Sequence, residues 1–132
     1  EFFDPQLDKS VHPNTVVFEL TGSQETITIK GASVGGGRVL VNQIDDFPVE
    51  LSGDYPSLLT VHRDKPGVIQ AVSEVLARYD INIAFMKVFR LARGKDALMV
   101  IETDQEVPKS AQTEILGKKD IKWVRFVDKI SL

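Results

Sequence analysis

The sequence predicts an α+β protein: a small, mostly antiparallel β segment followed by a unit with the order βαββαβ. Three observations carry this. Val68, Ala71, Val72, Val75, Leu76 and Tyr79 recur at i, i+3, i+4, i+7, i+8 and i+11, the apolar stripe of a single helix. Leu58–His62, Asn82–Leu91, Ala97–Thr103 and Ile121–Asp128 are rich in β-branched, aromatic and other apolar residues, as strands are. The charge changes sign near Tyr55-Pro56: residues 1–54 hold three basic and nine acidic residues, residues 55–132 thirteen and ten. That change divides the chain into a β-rich part, 1–54, and a second domain, 55–132.

Taken in order, residues 1–14 contain two prolines and no periodicity, and read as an irregular lead-in. Thr15–Leu20 and Thr26–Lys30 are β-rich around the turn-like Thr21-Gly22-Ser23-Gln24, which predicts a hairpin. Gly31-Ala32-Ser33-Val34-Gly35-Gly36-Gly37 reads as a glycine-rich loop before a third strand, Arg38–Ile44. Asp45-Asp46 turns the chain into a short segment, Phe47–Leu51, and no helix is expected in this half.

In the second half, strand Leu58–His62 passes through the polar turn Arg63-Asp64-Lys65-Pro66-Gly67 into a helix, Pro66–Tyr79. Pro66 suits a helix start because its missing N–H is not needed there, and Asp64 is placed to accept from the free first-turn N–H groups. Strand Asn82–Leu91 follows, then a hairpin turn, Ala92–Asp96, with Gly94 near its tip, and strand Ala97–Thr103. Pro108 opens a short helix to about Leu116, which Gly117 is suited to end, and Ile121–Asp128 closes the set. This order specifies a ferredoxin-like sandwich, a four-stranded antiparallel sheet with two helices on one face. Phe85, Lys87 and Phe89 fall on one side of their strand and Ala84, Met86 and Val88 on the other, so both faces of the sheet are expected to be covered. A second copy or the N-terminal β segment would serve.

The composition narrows the function. With 42% apolar and 27% charged residues the chain is typical of globular proteins, and no apolar run approaches a membrane span. It has no cysteine, which excludes disulfides, cysteine-ligated zinc and an iron–sulfur cluster held by its own thiolates; this fits a cytoplasmic setting. The net charge of −3, without a concentrated basic face, argues against nucleic acid. An RNA-binding sheet of this order would need exposed stacking aromatics, for which Phe85, Phe89 and Phe126 are the candidates. His12 and His62 stand alone, without acidic residues at metal-ligand spacing, so no metal site is expected. Asp45-Asp46 reads as a solvated turn rather than an acid–base pair, and no serine-nucleophile turn is present. We therefore expect no catalytic residue. The chain begins at Glu1-Phe2 rather than Met, which reads as a processed chain or a fragment.

With Asp64-Lys65-Pro66-Gly67-Val68-Ile69 after the first strand and Asp80-Ile81-Asn82-Ile83-Ala84 entering the second, residues 56–132 resemble an ACT domain. The resemblance implies an amino-acid sensor attached to a metabolic enzyme. It implies an effector site at Asp64, Lys65, Pro66, Gly67, Val68, Asn82 and Ile83, formed between two ACT domains of a homodimer. Physically, a helix N-terminus suits a carboxylate, and a side-chain carboxylate or amide can take an ammonium.

His12-Pro13-Asn14-Thr15, the Gly31–Arg38 run and Leu51-Ser52-Gly53 resemble the C-terminal part of the β subunit of bacterial iron–sulfur-dependent L-serine dehydratases, where part of an allosteric substrate-binding domain precedes an ACT domain. That family deaminates L-serine to pyruvate and ammonia on a [4Fe–4S] cluster. The resemblance places the cluster in an α subunit or region, and makes that subunit a partner and L-serine or another small amino acid a ligand. It also implies that this chain alone is not catalytic. A related arrangement closes some D-3-phosphoglycerate dehydrogenases, the alternative family; a free-standing amino-acid sensor is the third reading. The glycine-rich run is not a P-loop, because no Lys-Ser/Thr follows and the next element is a strand. Its backbone N–H groups, with Lys30 and Arg38 beside Gly35, Gly36 and Gly37, remain a candidate anion site.

Overall fold

The computed structural model describes residues 2–7, 15–21 and 26–129. His12, the lead-in from residue 8 and the turn at 22–25 lie outside them. In order the elements are β1 (Phe2–Leu7), β2 (Thr15–Thr21), β3 (Thr26–Gly35), β4 (Arg38–Ile44), β5 (Phe47–Ser52), β6 (Ser57–Arg63), α1 (Val68–Arg78), β7 (Ile83–Arg90), β8 (Asp96–Thr103), α2 (Lys109–Leu116) and β9 (Ile121–Val127). They fall into two compact units, one ending at Asp54 and the other running from Tyr55 to Lys129.

The first unit is a five-stranded antiparallel meander, β1-β2-β3-β4-β5. The expected hairpin is present as β2–β3, with Thr15 opposite Ala32. Part of the supposed irregular lead-in is instead a strand: β1 pairs antiparallel with β2. Its Pro5 is tolerated because β1 is an edge strand, where a missing N–H costs no ladder bond. The glycine-rich stretch is mostly strand as well. β3 runs through to Gly35, and only Gly36 and Gly37, at φ +63° and +77°, make the turn into β4. Positive φ at both central residues is the requirement of a tight two-residue hairpin turn, which glycine meets without strain. Gly31 answers a different demand: a Cβ there would stand 2.6 Å from the Leu40 carbonyl oxygen and from Val39 Cγ1. Alternation is regular along β5, which buries Phe47, Val49 and Leu51, and in β4 as far as Val41, beyond which the register shifts and Ile44 is the next buried residue.

The second unit is the predicted sandwich, an antiparallel sheet in the order β7-β8-β6-β9 with α1 and α2 packed on it. Val68, Val72, Val75 and Leu76 of α1 and Ala111 and Ile115 of α2 form one core with Leu58, Met99 and Ile101 of the sheet. Each of these valine, leucine, isoleucine and methionine side chains contributes roughly 1.5–3 kcal/mol by leaving water. Met86 and Val88 of β7 pack against that core, as the alternation predicts. So does Ile83, because a register shift between Ile83 and Phe85 displaces Ala84 from simple alternation.

The start of α1 departs from expectation, whereas α2 ends at Gly117 as expected. α1 begins at Val68, not Pro66, because Gly67 sits at φ +89° and cannot belong to a right-handed helix. Gly117 caps α2 in the right-handed region, and the left-handed residue of that turn is Asp120 at φ +70°. No described helix is long and apolar enough to cross a membrane.

Candidate functional site

β6 delivers the chain to the predicted effector turn, which is held from two sides. The Arg63 N–H donates to the Asp120 carbonyl at 2.9 Å and the Asp64 N–H to that of Lys95 at 2.8 Å. Lys65 Nζ lies 3.7 Å from Asp120 Oδ1. The β6–α1, β7–β8 and α2–β9 turns thus gather at one end of the sheet. This fixes the turn without any cap from Asp64: the N-cap is Gly67, and no side chain caps the helix. The expected bond from Asp64 to the first helical turn is therefore not formed, because the left-handed Gly67 closes the turn by itself.

Asp64 points its charge elsewhere. Its side chain is 16% exposed, and Arg90 Nη2, from the end of β7, lies 2.8 Å from Oδ2. The contact is a close ion pair that ties the end of β7 to the turn. Strand register explains the encounter. His62 and Arg90 both stand opposite Ala97, so they flank it on one face of the sheet directly below the turn. His62 is itself 2% exposed. Its Nδ1 is 2.7 Å from the Arg63 carbonyl, which can only accept, so Nδ1 is the donor of that bond, and its Nε2 is buried without a hydrogen-bond partner among the described residues.

Asn82 and Ile83 are at the other end. The eleven residues of α1 separate them from Asp64 by about 16 Å along the helix. Asn82 is fully engaged there: its N–H donates to Gln105 Oε1 at 2.8 Å, its Nδ2 to Asp104 Oδ2 at 2.8 Å, and its carbonyl accepts from the Asp104 N–H at 3.1 Å. With Ile81 and Ile83 it borders a shallow open groove whose other wall is Gln70, Ser73 and Ala77 of α1. The Ser73 hydroxyl is spent on the Ile69 and Gln70 carbonyls. The seven predicted effector residues therefore form two clusters within one chain, Asp64–Val68 and Asn82–Ile83.

The candidate anion residues are not gathered either. Because β3 continues through Gly35, with register shifts at Lys30/Gly31 and Ser33/Gly35, Lys30 lies up to about 20 Å of strand away from the Gly36-Gly37 turn. Arg38 is committed to Asp54, with Nη2 2.8 Å from Oδ2 and Nε 3.4 Å from Oδ1. Gly35, Gly36 and Gly37 serve the hairpin. Among the described residues, no group of three or more histidine, aspartate or glutamate side chains is placed to hold a metal ion.

The sequence reading passed over Arg90. Its only signal was a cation at the end of a strand, as common a feature as any on a protein surface.

Residues 57–117 match the ACT domain family, and the second unit is an ACT domain. The chain is 40% identical over 97 residues to the probable L-serine dehydratase beta chain of Bacillus subtilis (strain 168), covering 74% of this chain and 44% of that protein. It is 27% identical over 129 residues to the L-serine dehydratase beta chain of Peptoniphilus asaccharolyticus, covering 96% and 58%. To the D-3-phosphoglycerate dehydrogenase of Synechocystis sp. it is 32% identical over 109 residues, covering 80% and 20%. The chain thus spans about half the length of the dehydratase β chains and a fifth of the dehydrogenase. The resemblances read from the motifs, to an ACT domain and to the C-terminal region of the dehydratase β chain, are both found.

Proposed function

We propose that this ACT-containing chain is the regulatory and assembly part of an iron–sulfur L-serine dehydratase, and that its ACT domain senses a small amino acid such as L-serine. One observation carries the dehydratase reading: the 40% identity runs over 97 residues, beyond 57–117 and into the β-rich unit. A bare sensor domain would not require that extension. On this reading the β-rich unit belongs to an allosteric substrate-binding domain, and the chain works in the cytoplasm beside a catalytic α subunit.

The residues here do not fit the cluster, since the chain has no cysteine to ligate iron. The reading therefore assigns the [4Fe–4S] group and the deamination of serine to the α subunit, and regulation to this chain. Self-association is part of the proposal. β7 is an edge strand with apolar groups on both faces, among them Phe85 at 40% exposure, and a second copy would cover them. Pairing would also bring the Asp64 end of one helix within reach of the Asn82 end of its partner, which a single chain cannot do.

The test is coexpression with the catalytic α chain. The reading requires a stable complex that forms pyruvate from L-serine, and calorimetric heat when this chain is titrated with L-serine. A monomeric mass by light scattering at tens of micromolar would remove the dimer. The 32% identity to a dehydrogenase supports a second reading, the regulatory end of a D-3-phosphoglycerate dehydrogenase. A glycine-rich dinucleotide fingerprint encoded upstream of residue 1 would select it.

A further inference from the structure

The charges of the second unit are segregated by end. Where the β6–α1, β7–β8 and α2–β9 turns gather, residues 63–65, 90–96 and 118–122 hold eight basic residues against three acidic ones, a local charge of +5 in a chain of −3. All three acids are taken: Asp64 pairs with Arg90, Asp96 with Lys122 and Asp120 with Lys65. Arg63, Arg93, Lys95, Lys118 and Lys119 are left without a side-chain ion pair among the described residues; Lys118 is half-buried and the other four are exposed. At the opposite end, residues 79–82 and 104–108 carry Asp80, Asp104 and Glu106 and no cation. Charge that only keeps a surface wetted is ordinarily mixed in sign, which this surface is not. The basic end is also held in shape, because backbone bonds from Arg63 to Asp120 and from Asp64 to Lys95 tie its turns together. Docking there has less freedom to freeze out. The cations spread over the ends of four strands, about 14 Å at the usual strand spacing, which suits an extended acidic surface rather than a single phosphate. Leu91 and Leu116, 53% and 48% exposed at the ends of β7 and α2, add apolar contact area to the same end.

We propose that this basic end docks on the acidic β-rich unit of a second copy of the chain. Charge complementarity selects that occupant. Residues 1–54 hold nine acidic residues and three basic ones, and one of the three, Arg38, is already bound to Asp54. Glu19 on β2 and Glu50 on β5 are exposed at positions that alternate with buried ones, and Asp46 is exposed in the β4–β5 turn. Two copies docking reciprocally, each giving one basic end and one acidic unit, make the contact twice and close a two-fold dimer. The proposal rests on the self-association put forward above and adds a contact distinct from pairing along β7. Attraction between exposed charges is screened by salt, whereas burial of an apolar edge is not, so the two contacts answer differently to ionic strength.

The test is the association constant of the complete chain, measured by light scattering over a concentration series in about 50 mM and about 500 mM NaCl. Two charge-reversed chains are measured beside it, one with Lys95→Glu and Lys119→Glu, the other with Glu19→Lys and Glu50→Lys. We expect the wild type to associate at least about tenfold more weakly in high salt, and each reversed chain to lose at least as much in low salt. An equal mixture of the two reversed chains should associate again, because each new charge then meets its opposite on the other chain. Wild-type association that ignores salt overturns the proposal without any substitution and leaves the pairing along β7 standing. Failure of the mixture to associate overturns it too, since contacts made between copies must be rescued by the second chain. A wild type that stays monomeric in low salt overturns both this contact and the self-association it rests on.

Discussion

The two ends of α1 carry the two halves of the predicted effector site, and they treat their polar side chains in opposite ways. At the far end Asn82 is a satisfied residue, bonded through its N–H, carbonyl and side-chain amide to Asp104 and Gln105. At the near end Asp64 is a mostly buried carboxylate whose side chain is held by an ion pair to Arg90. Asn82 does structural work that accounts for its presence. Asp64 does none that its own turn needs, since Gly67 and backbone bonds to Asp120 and Lys95 already shape that turn. A charged group that its own turn does not require is the better candidate for a ligand contact.

The largest effect that would break or sharpen this contrast is on binding. Asp64→Ala should weaken amino-acid binding seen by calorimetry, a loss on the order of 1.5–3 kcal/mol for a hydrogen bond to a charged group. Its thermal midpoint should stay close to the wild type's; a large fall would make Asp64 structural and erase the contrast. Next comes Gly67→Ala. A Cβ there meets nothing within 4 Å, so the cost is purely the left-handed backbone, about 1–2 kcal/mol in denaturant unfolding. A neutral result would mean that the turn relaxes and that its shape is not set by Gly67.

Asn82→Ala comes third. Losing its side-chain bond to Asp104 in an exposed setting should cost about 0.5–1.5 kcal/mol of stability, with a smaller loss of ligand affinity than Asp64→Ala. Equal losses of affinity would place both ends in one site shared between two copies. The smallest effect belongs to Lys65→Ala. Its pair with Asp120 is 3.7 Å long and half exposed on the lysine side, so stability should change by less than about 1 kcal/mol. A drop in binding comparable to that of Asp64→Ala would instead make Lys65 a ligand contact.

Much of the second unit was legible from local pattern. The 3.6-residue stripe of Val68 to Tyr79, the apolar runs of the strands and the hairpin glycine Gly94 each speak for their own segment. The misreadings lie where a few residues serve a non-local demand. Gly31 looked like loop punctuation beside Gly35–Gly37, yet it sits within a strand because the β4 backbone passes against it. Phe2–Leu7 carries no strand pattern of its own and is a strand by virtue of the β2 edge it pairs with. The site was legible as a list of residues and not as an arrangement. Asp64 and Asn82 are eighteen positions apart in the sequence, which says nothing of a helix holding them at opposite ends.

By itself, the sequence determined the order of elements in the second unit, the apolar faces that α1 and its strands bury, and the exclusion of thiolate-held metals. These follow from short-range periodicity, backbone propensity and composition, which each segment carries within itself. Only the tertiary structure decided which charges meet. His62 and Arg90 face one another across Ala97 because of the register in which β6 and β7 each pair with β8, and that register brings Arg90 to Asp64. Register is a property of distant segments packing together. It left Asn82 bonded to Asp104, Arg38 bound to Asp54, and Asp64 paired with Arg90.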